Sequence, residues 1–188
     1  TLWFTVNVIQ DFNITVEIIS TPLAVNPGYS GEWLLDLTNN GNGIDSITMN
    51  STDVPENWPS TFSDSVVELL SDRNKIIVFT LDIPEGTSSG EYFLSIEAQS
   101  LGTSVSVPLN ITVNSVHRVS ASVTSEIEHT GQPGETVYFQ FDVTNIGNTN
   151  DTVLVTATGT MMSQATPTDF GWSTKSLSIS ETESNYLK

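Results

Sequence analysis

The sequence predicts an all-β protein built from tandem immunoglobulin-like antiparallel β-sandwiches. Apolar and polar residues alternate along many short stretches, which is typical of strands with one face in a core and one in water. A motif that begins at Asn26 returns at Gln132, and this period of 106 residues is about the size of one sandwich domain. Turn-forming residues separate the stretches, and no segment of the sequence shows a helical period.

The alternating stretches give the predicted strands and their inward faces. In the first repeat the inward rows are Phe12, Ile14, Val16 and Ile18; Trp33, Leu35 and Leu37; Ile77, Phe79, Leu81 and Ile83; Tyr92, Leu94, Ile96 and Ala98; and Val105, Val107, Leu109, Ile111 and Val113. The clearest row of the second repeat is Val137, Phe139, Phe141 and Val143. The Pro-Gly turns at residues 26–28 and 132–134 combine a fixed φ with a permissive residue, and each precedes a predicted strand.

The repeat sets the predicted domain boundaries. Its matched pairs are Pro27 and Pro133, Asp36 and Asp142, Asn39 and Asn145, Gly41 and Gly147, and Asp45 and Asp151. Residues 4–7 also resemble residues 110–114, so we expect residues 1–10 to be the last strand of a preceding repeat. Residues 11–114 then form one sandwich. Residues 115–188 form a second that is truncated at its C-terminal end, since two periods of 106 need 212 residues.

The composition is typical of a secreted β-protein. Only 14% of the residues are charged, while Ser, Thr and Asn are abundant, so we expect an extracellular or cell-surface location. The net charge of −17 argues against binding to nucleic acid and against docking on an anionic membrane, because both need basic surfaces. The lack of cysteine excludes disulfides and thiolate metal sites, and no apolar run approaches the length of a membrane span.

Catalysis finds little support in the sequence. The two histidines are His117 and His129, there is no cysteine nucleophile, and neither G-x-S-x-G nor H-E-x-x-H occurs. Glu126 and Glu128 are two residues apart and share a strand face, which is more typical of a solvated edge than of a glycosidase pair. We therefore predict no catalytic residues and no enzymatic activity.

Two loops that match in the repeat are candidate calcium sites. Residues 39–45 and 145–151 offer Asn, Asp and backbone oxygens, which calcium prefers, with Asp45 and Asp151 as the candidate ligands. The competing interpretation is turn geometry, because Asn and Gly both tolerate positive φ. We favour the turn, and structural calcium is the one cofactor that the sequence leaves open.

Four N-x-[ST] sequons make N-glycosylation a further candidate feature. They begin at Asn13, Asn50, Asn110 and Asn150. The side chains of Asn13 and Asn110 alternate with inward rows and should therefore point to solvent. Asn50 and Asn150 fall in or beside predicted loops.

The tryptophans invite a comparison between sugar-stacking platforms and core side chains. Trp33 fits an inward row. Residues 57–63 resemble residues 171–176, which places Trp58 and Trp172 at matching positions. A recurring aromatic residue in a sandwich usually fills the core between the sheets, and we favour that interpretation. Trp3 lies in the predicted strand of the preceding repeat.

The order of these motifs resembles a known group of repeats. The first repeat contains Asn-Pro-Gly at residues 26–28, the Asn-rich loop at 39–45, Pro-Glu-Asn-Trp at 55–58, Pro-Glu-Gly at 84–86 and Gly-Glu-Tyr at 90–92. In this order and spacing they resemble the NEW3 and CARDB-like immunoglobulin-like repeats of bacterial and archaeal surface proteins. Tyr29 and Asn57 depart from that pattern, and residues 161–170 form a longer loop before Trp172. The resemblance implies extracellular modules without an activity of their own.

These observations favour a non-catalytic structural or adhesive module of a cell surface, surface layer or filament, which acts as a spacer or assembly unit. Its partners would be neighbouring repeats or copies of itself, with surface glycans or proteins as further candidates. The alternative is a glycan- or protein-binding accessory module of a secreted enzyme. Strand donation between copies is a further hypothesis, because residues 1–10 resemble a strand type that the second repeat lacks. The simpler explanation is that the parent protein supplies the remaining strands.

Overall fold

The computed structural model describes residues 2–157 and 169–188, and these form strands joined by turns and loops. The chain divides into two compact units, Thr1–Asn114 and Ser115–Lys188, called here the first and second units. The predicted all-β sandwich class is confirmed. Within the described ranges we find no helix that is long and apolar enough to span a membrane.

The first unit consists of two four-stranded antiparallel sheets. Its strands are β1 (Ile14–Ser20), β2 (Ser30–Asn39), β3 (Asp45–Thr52), β4 (Ser60–Phe62), β5 (Val66–Leu69), β6 (Arg73–Asp82), β7 (Gly90–Gln99) and β8 (Ser104–Val113). One sheet has the order β1-β2-β6-β4, and the other has the order β5-β3-β7-β8. Each sheet places its inward rows against the other, so the core lies between them.

The predicted inward rows form this core. The central rows on β2 and β6 are fully buried, with Trp33 and Phe79 in ring contact at 5.9 Å. Phe62 on β4 also contacts Phe79, at 4.9 Å. Ile18, Tyr92, Val105 and Val107 are only partly buried, and Phe12, predicted in the first row, lies before β1 and is half-buried. The period-2 alternation therefore identified the buried face of each long strand correctly.

The Pro-Gly turns adopt the backbone conformation that the sequence predicts. Gly28 and Gly134 have φ of 80° and 90°, values that favour glycine over residues with a side chain. The amide of Gly28 donates a hydrogen bond to the carbonyl of Ile83, which ties the turn to the end of β6. A parallel bridge between Val25 and Val113 then holds the chain before this turn against β8.

The second unit repeats part of this frame. Its strands are β9 (Val119–Val123), β10 (Phe139–Asn145), β11 (Asp151–Leu154), β12 (Thr174–Leu177) and β13 (Thr182–Leu187). They form a three-stranded sheet of order β13-β10-β9 and a two-stranded sheet of β11 and β12. Among the residues that the structure describes, the second unit has no counterpart of β7 or β8.

The strand register of the two units is the same. Phe139 pairs with Leu187 across β10 and β13, as Trp33 pairs with Phe79 across β2 and β6. Likewise β11 and β12 pair as β3 and β5 do, with an aspartate opposite a leucine at the start of each pair. The frame of a sandwich is thus present in both units, with two four-stranded sheets in the first and sheets of three and two strands among the described residues of the second.

The predicted equivalence of Trp58 and Trp172 is wrong. Phe170 forms a bridge with Leu187, whereas Phe62 pairs with Phe79. Since Leu187 and Phe79 hold the same register position, Phe170 is the counterpart of Phe62, and Trp172 lies two residues further along the chain. The two tryptophan motifs are alike in sequence but lie at different positions of the fold. The longer loop predicted before Trp172 falls mostly outside the described residues.

Residues 2–13 form no strand in the structure. The apolar side chains of residues 2–9 are exposed, including those of Trp3 and Phe4. The assignment of residues 1–10 to a preceding repeat remains a prediction. In the structure these residues are an exposed apolar segment outside the described sheets.

Candidate functional site: the junction loops

The loops that carried the calcium hypothesis have the same hydrogen-bond network in both units. We call residues 39–45, between β2 and β3, and residues 145–151, between β10 and β11, the junction loops. The segments that enter the units, residues 9–13 and 116–118, are called the lead-in segments. Each junction loop binds its own lead-in segment.

Asn39 organises the first junction loop from inside. Its side chain is fully buried, and its Oδ1 accepts a hydrogen bond from the amide of Gly41 at 2.8 Å. Its Nδ2 donates to the carbonyls of Gly43 and Leu69, each at 2.9 Å. One side chain thus closes the loop on itself and ties it to β5. Burial without these partners would be costly for an amide, so the network explains why asparagine is placed here.

Asn145 makes the same three bonds in the second unit. Its Oδ1 accepts from the amide of Gly147 at 2.9 Å. Its Nδ2 donates to the carbonyl of Thr149 at 2.8 Å and to that of Leu177, on β12, at 3.2 Å. The repeated asparagine therefore has one structural role in both copies.

The first junction loop holds the lead-in segment by its backbone. The amide of Asp11 donates to Oδ1 of Asn42 at 2.8 Å, and the amide of Asn42 donates back to the carbonyl of Asp11 at 3.3 Å. Nδ2 of Asn42 donates to the carbonyl of Ile9 at 3.0 Å. The amide of Asn40 donates to the carbonyl of Asn13 at 2.7 Å.

The second junction loop holds its lead-in segment in the same way. The amide of Val116 donates to Oδ1 of Asn148 at 2.6 Å, and the amide of Asn148 donates to the carbonyl of Val116 at 3.1 Å. The amide of Ile146 donates to the carbonyl of Arg118 at 3.0 Å. The contacts match although the side chains of the two lead-in segments differ.

The glycine of each junction loop makes this contact possible. A Cβ atom added to Gly41 would lie 2.3 Å from the carbonyl oxygen of Asp11, and one added to Gly147 would lie 2.3 Å from that of Val116. No side chain fits at such distances, so the lead-in backbone approaches only because the residue is glycine. The motif Asn-x-Gly-Asn is therefore explained residue by residue as a clamp on the lead-in segment.

The two calcium-ligand candidates lie in different environments. Asp45 is 2% exposed, and its Oδ2 has no hydrogen-bond partner. Asp151 is half-buried; its Oδ1 accepts from the amide of Thr152 at 2.8 Å, and its Oδ2 lies 3.3 Å from Nδ1 of His117. Over residues 2–157 and 169–188, no three His, Cys, Asp or Glu side chains are grouped as a metal site requires. Calcium at Asp45 and Asp151 stays a prediction. The hydrogen bonds account for the Asn and Gly of both loops as turn residues, but the predicted reason is wrong, because no residue of 39–45 or 145–151 has positive φ.

The four sequon asparagines are all exposed. The predicted outward direction of Asn13 and Asn110 is confirmed, since each lies beside buried neighbours on its strand or at its start. Asn50, on the outer face of β3, and Asn150, in the second junction loop, are equally open to solvent. Attachment of a glycan at these positions remains a prediction.

The tryptophans of the first unit are core residues, as predicted. Trp33 is fully buried, and Trp58 is buried with its ring 4.7 Å from that of Tyr92. Trp172 is half-buried, and its Nε1 donates to the carbonyl of Ser184 at 3.1 Å. Among these three rings none is displayed as an open platform.

Asp64 in the first unit and Glu181 in the second have lowered pKa values. The side-chain hydrogen bond from Lys75, at 2.8 Å, lowers the pKa of Asp64. The backbone amide of Ser178, at 2.6 Å, lowers the pKa of Glu181. Both carboxyl groups lie on the surface, so their interactions stabilise local turns and do not form a buried acid–base site.

Sequence reasoning located the junction loops but missed what they bind. The recurrence of Asn39, Gly41 and Asn42 at a fixed period marked both loops. Their partner is the backbone of the lead-in segment, which needs no particular side chains and therefore leaves no motif. The Asn-x-Gly-Asn motif itself could have indicated this contact, because a glycine that recurs between two asparagines suggests the close approach of another chain segment.

No family model matches the chain, and no curated protein matches its sequence. Several solved structures are similar in fold. A Porphyromonas gingivalis protein of unknown function shares 13% identity at a TM-score of 0.43, with 93% of this chain and 83% of that chain covered. The Escherichia coli chaperone DraB shares 12% identity at 0.41, with 94% and 87% covered. An ASH/PapD-like domain of human CEP192 shares 18% identity at 0.39, with 55% and 84% covered. These similarities concern the β-sandwich fold alone.

Proposed function

We propose that the chain is a non-catalytic, extracellular structural module whose repeats serve as spacing and assembly units of a surface protein. The observation that carries this proposal is the pair of junction loops. Each unit uses the same set of hydrogen bonds to hold the segment that leads into it, as expected of a device that joins repeats.

The clamp leaves very little chain between the units. Asn114 donates its amide to the carbonyl of Val25 in the first unit, and Val116 is bound to Asn148 in the second. A single residue, Ser115, separates these two anchored positions. The chain between these two anchored positions is therefore a single residue and not a long flexible linker.

The surface chemistry supports an extracellular setting. The net charge of −17 keeps such a module soluble and repels nucleic acid and anionic membranes. Exposed sequon asparagines occur on both units, so glycans would be compatible with the fold. The resemblance to NEW3 and CARDB-like repeats agrees with this setting. If calcium binds, Asp45 is the first candidate ligand.

The proposal is tested by measuring whether the two units move together. Nitrogen-15 relaxation should give the same rotational correlation time for both units of the wild-type chain. Gly147→Ala, which forces the second junction loop away from Val116, should lower the correlation time of the second unit. An insertion of Gly-Ser-Gly-Ser before Ser115 provides the reference for independent motion. Wild-type units that already move as independently as those of the insertion variant would refute the spacing role.

A further inference from the structure

An exposed aromatic ring lies on the outer face of the sheet β5-β3-β7-β8 in the first unit. Phe93, on β7, is 68% exposed, while the buried side chains of the same strand point to the opposite face. Its neighbours on the outer face are mainly polar: Glu91, Ser95, Pro108, Asn110 and Thr112. Packing in the core therefore does not account for an aromatic residue at this position.

The ring of Phe93 lies directly across the sheet from a sequon asparagine. Phe93 on β7 pairs with Asn110 on β8 in the antiparallel register, and both side chains are exposed. Directly opposite residues point to the same face of a sheet, with their Cβ atoms about 4.5–5.5 Å apart. A group attached to Nδ2 of Asn110 would therefore begin within reach of the ring.

The other three sequon asparagines have different surroundings. Asn50 lies on the outer face of the same sheet, but its cross-strand partner on β7 is Glu97. Asn13 and Asn150 precede β1 and β11, and they lie outside the strand pairs of the described chain. Asn110 is thus the sequon at which a strand pair supplies an aromatic neighbour, and Asn50 is its matched counterpart without one.

The chemistry of an N-linked glycan suits such a neighbour. In the transfer step, C1 of the first sugar forms a bond to Nδ2 of asparagine, its bond to the oxygen of a lipid diphosphate breaks, and Nδ2 loses a proton. A pyranose ring has a face of C–H groups, which stacks on the negative face of an aromatic ring. Stacking removes apolar surface from water, and residues 93 and 110 are adjacent only when the sheet is formed. The contact would therefore stabilise the folded state.

We infer that Phe93 is the stacking surface for the first sugar of a glycan on Asn110, and that this contact stabilises the first unit. The inference rests on the extracellular location proposed above, because lipid-linked glycans are transferred on the non-cytosolic side of a membrane. β8 is also an edge strand of its sheet. A glycan held there hinders pairing of this edge with a strand of another molecule.

The test is a double-mutant cycle between the ring and the glycan. Two chains keep one sequon each, Asn110 or Asn50, with glutamine in place of the other three asparagines. Each chain is made in glycosylated form by secretion from eukaryotic cells, and without a glycan in the bacterial cytoplasm. Urea unfolding, followed by hydrogen exchange in the first unit, measures the folding equilibrium constant of each form.

The glycan on Asn110 should raise this equilibrium constant about five-fold, and Phe93→Ser should reduce the gain to less than about two-fold. In the matched chain that keeps Asn50, Phe93→Ser should leave the effect of the glycan unchanged, because Glu97 is the residue opposite. Phe93 lies on the surface, so its substitution keeps the fold.

Proton NMR of the glycan supplies a second readout. The ring current of Phe93 should shift C–H protons of the first sugar upfield, and Phe93→Ser should abolish the shift. Trimming the glycan to its first sugar should preserve both the shift and the gain in stability. An Asn110 that stays unglycosylated in the secreted chain would overturn the inference, and so would equal gains with and without the ring. The relaxation test of the spacing role is independent, because neither Phe93 nor Asn110 lies in a junction loop.

Discussion

The two units have the same register and the same junction loop, but their cores differ. In the first unit, two four-stranded sheets bury the central rows completely. In the second unit, the described residues form a three-stranded sheet and the pair β11 and β12, and Phe139 and Phe141 are half-buried. The comparison separates two properties of a sandwich. Local motifs determine the frame and the clamp on the lead-in segment, whereas the covering of the core depends on strands that come later in the first repeat.

The largest change in the free energy of unfolding is expected from core substitutions, because the cores of the two units differ in burial. Leu35→Ala in the first unit should lower the free energy of unfolding by about 3–4 kcal/mol, because it removes a fully buried side chain. Phe141→Ala, at the equivalent position, should cost about 2 kcal/mol or less although it removes more atoms, because that ring is only half-buried. Urea unfolding followed by hydrogen exchange in each unit would measure both values.

A result in which Phe141→Ala costs as much as Leu35→Ala would contradict the contrast between the cores. It would mean that the apolar face of the second unit is covered in solution.

A smaller loss of unfolding free energy, equal in both units, is expected from substitutions in the junction loops, because these loops have the same hydrogen bonds. Asn39→Ala and Asn145→Ala each remove three hydrogen bonds of a buried amide and should each cost about 2–3 kcal/mol. Each loss should be confined to the unit that contains the substitution. Asn40→Ala is the matched control, since its exposed side chain bonds only Thr15 Oγ1, at 3.1 Å, and its loss should stay within about 0.5 kcal/mol. Unequal costs for Asn39 and Asn145 would show that the two loops are not equivalent.

The smallest effect concerns the two lowered pKa values. A carboxyl group with a lowered pKa in the folded state stabilises the fold above its ordinary pKa, and this contribution is lost as the pH falls through the folded-state value. Carbon-13 titration should show that added salt raises the pKa of Asp64, since Lys75 is a screened charge. The pKa of Glu181 should respond less, because its main partner is a backbone amide. Equal salt responses would reverse this assignment of causes.

Much of the fold could be predicted from the sequence, for identifiable reasons. The alternation of apolar and polar residues identified the buried rows of β2 and β6, because successive side chains of a strand point to opposite faces of the sheet. The predicted match between Trp58 and Trp172 was wrong because only the few residues around each tryptophan are similar. The number of residues between each tryptophan and the neighbouring strands differs between the two repeats. The role of Asn42 and Asn148 was not foreseen, because their partners are main-chain atoms.

The way in which a junction loop recognises its lead-in segment has a consequence for how such proteins change. The loop binds carbonyl and amide groups, which every residue except proline offers, and it is indifferent to the side chains that pass through. Asp11 and Asn13 in one copy, and Val116 and Arg118 in the other, make the same backbone hydrogen bonds. A gene that duplicates, loses or exchanges one module would therefore keep a working joint without any compensating substitution, and the length of the array can change freely while its connections stay the same.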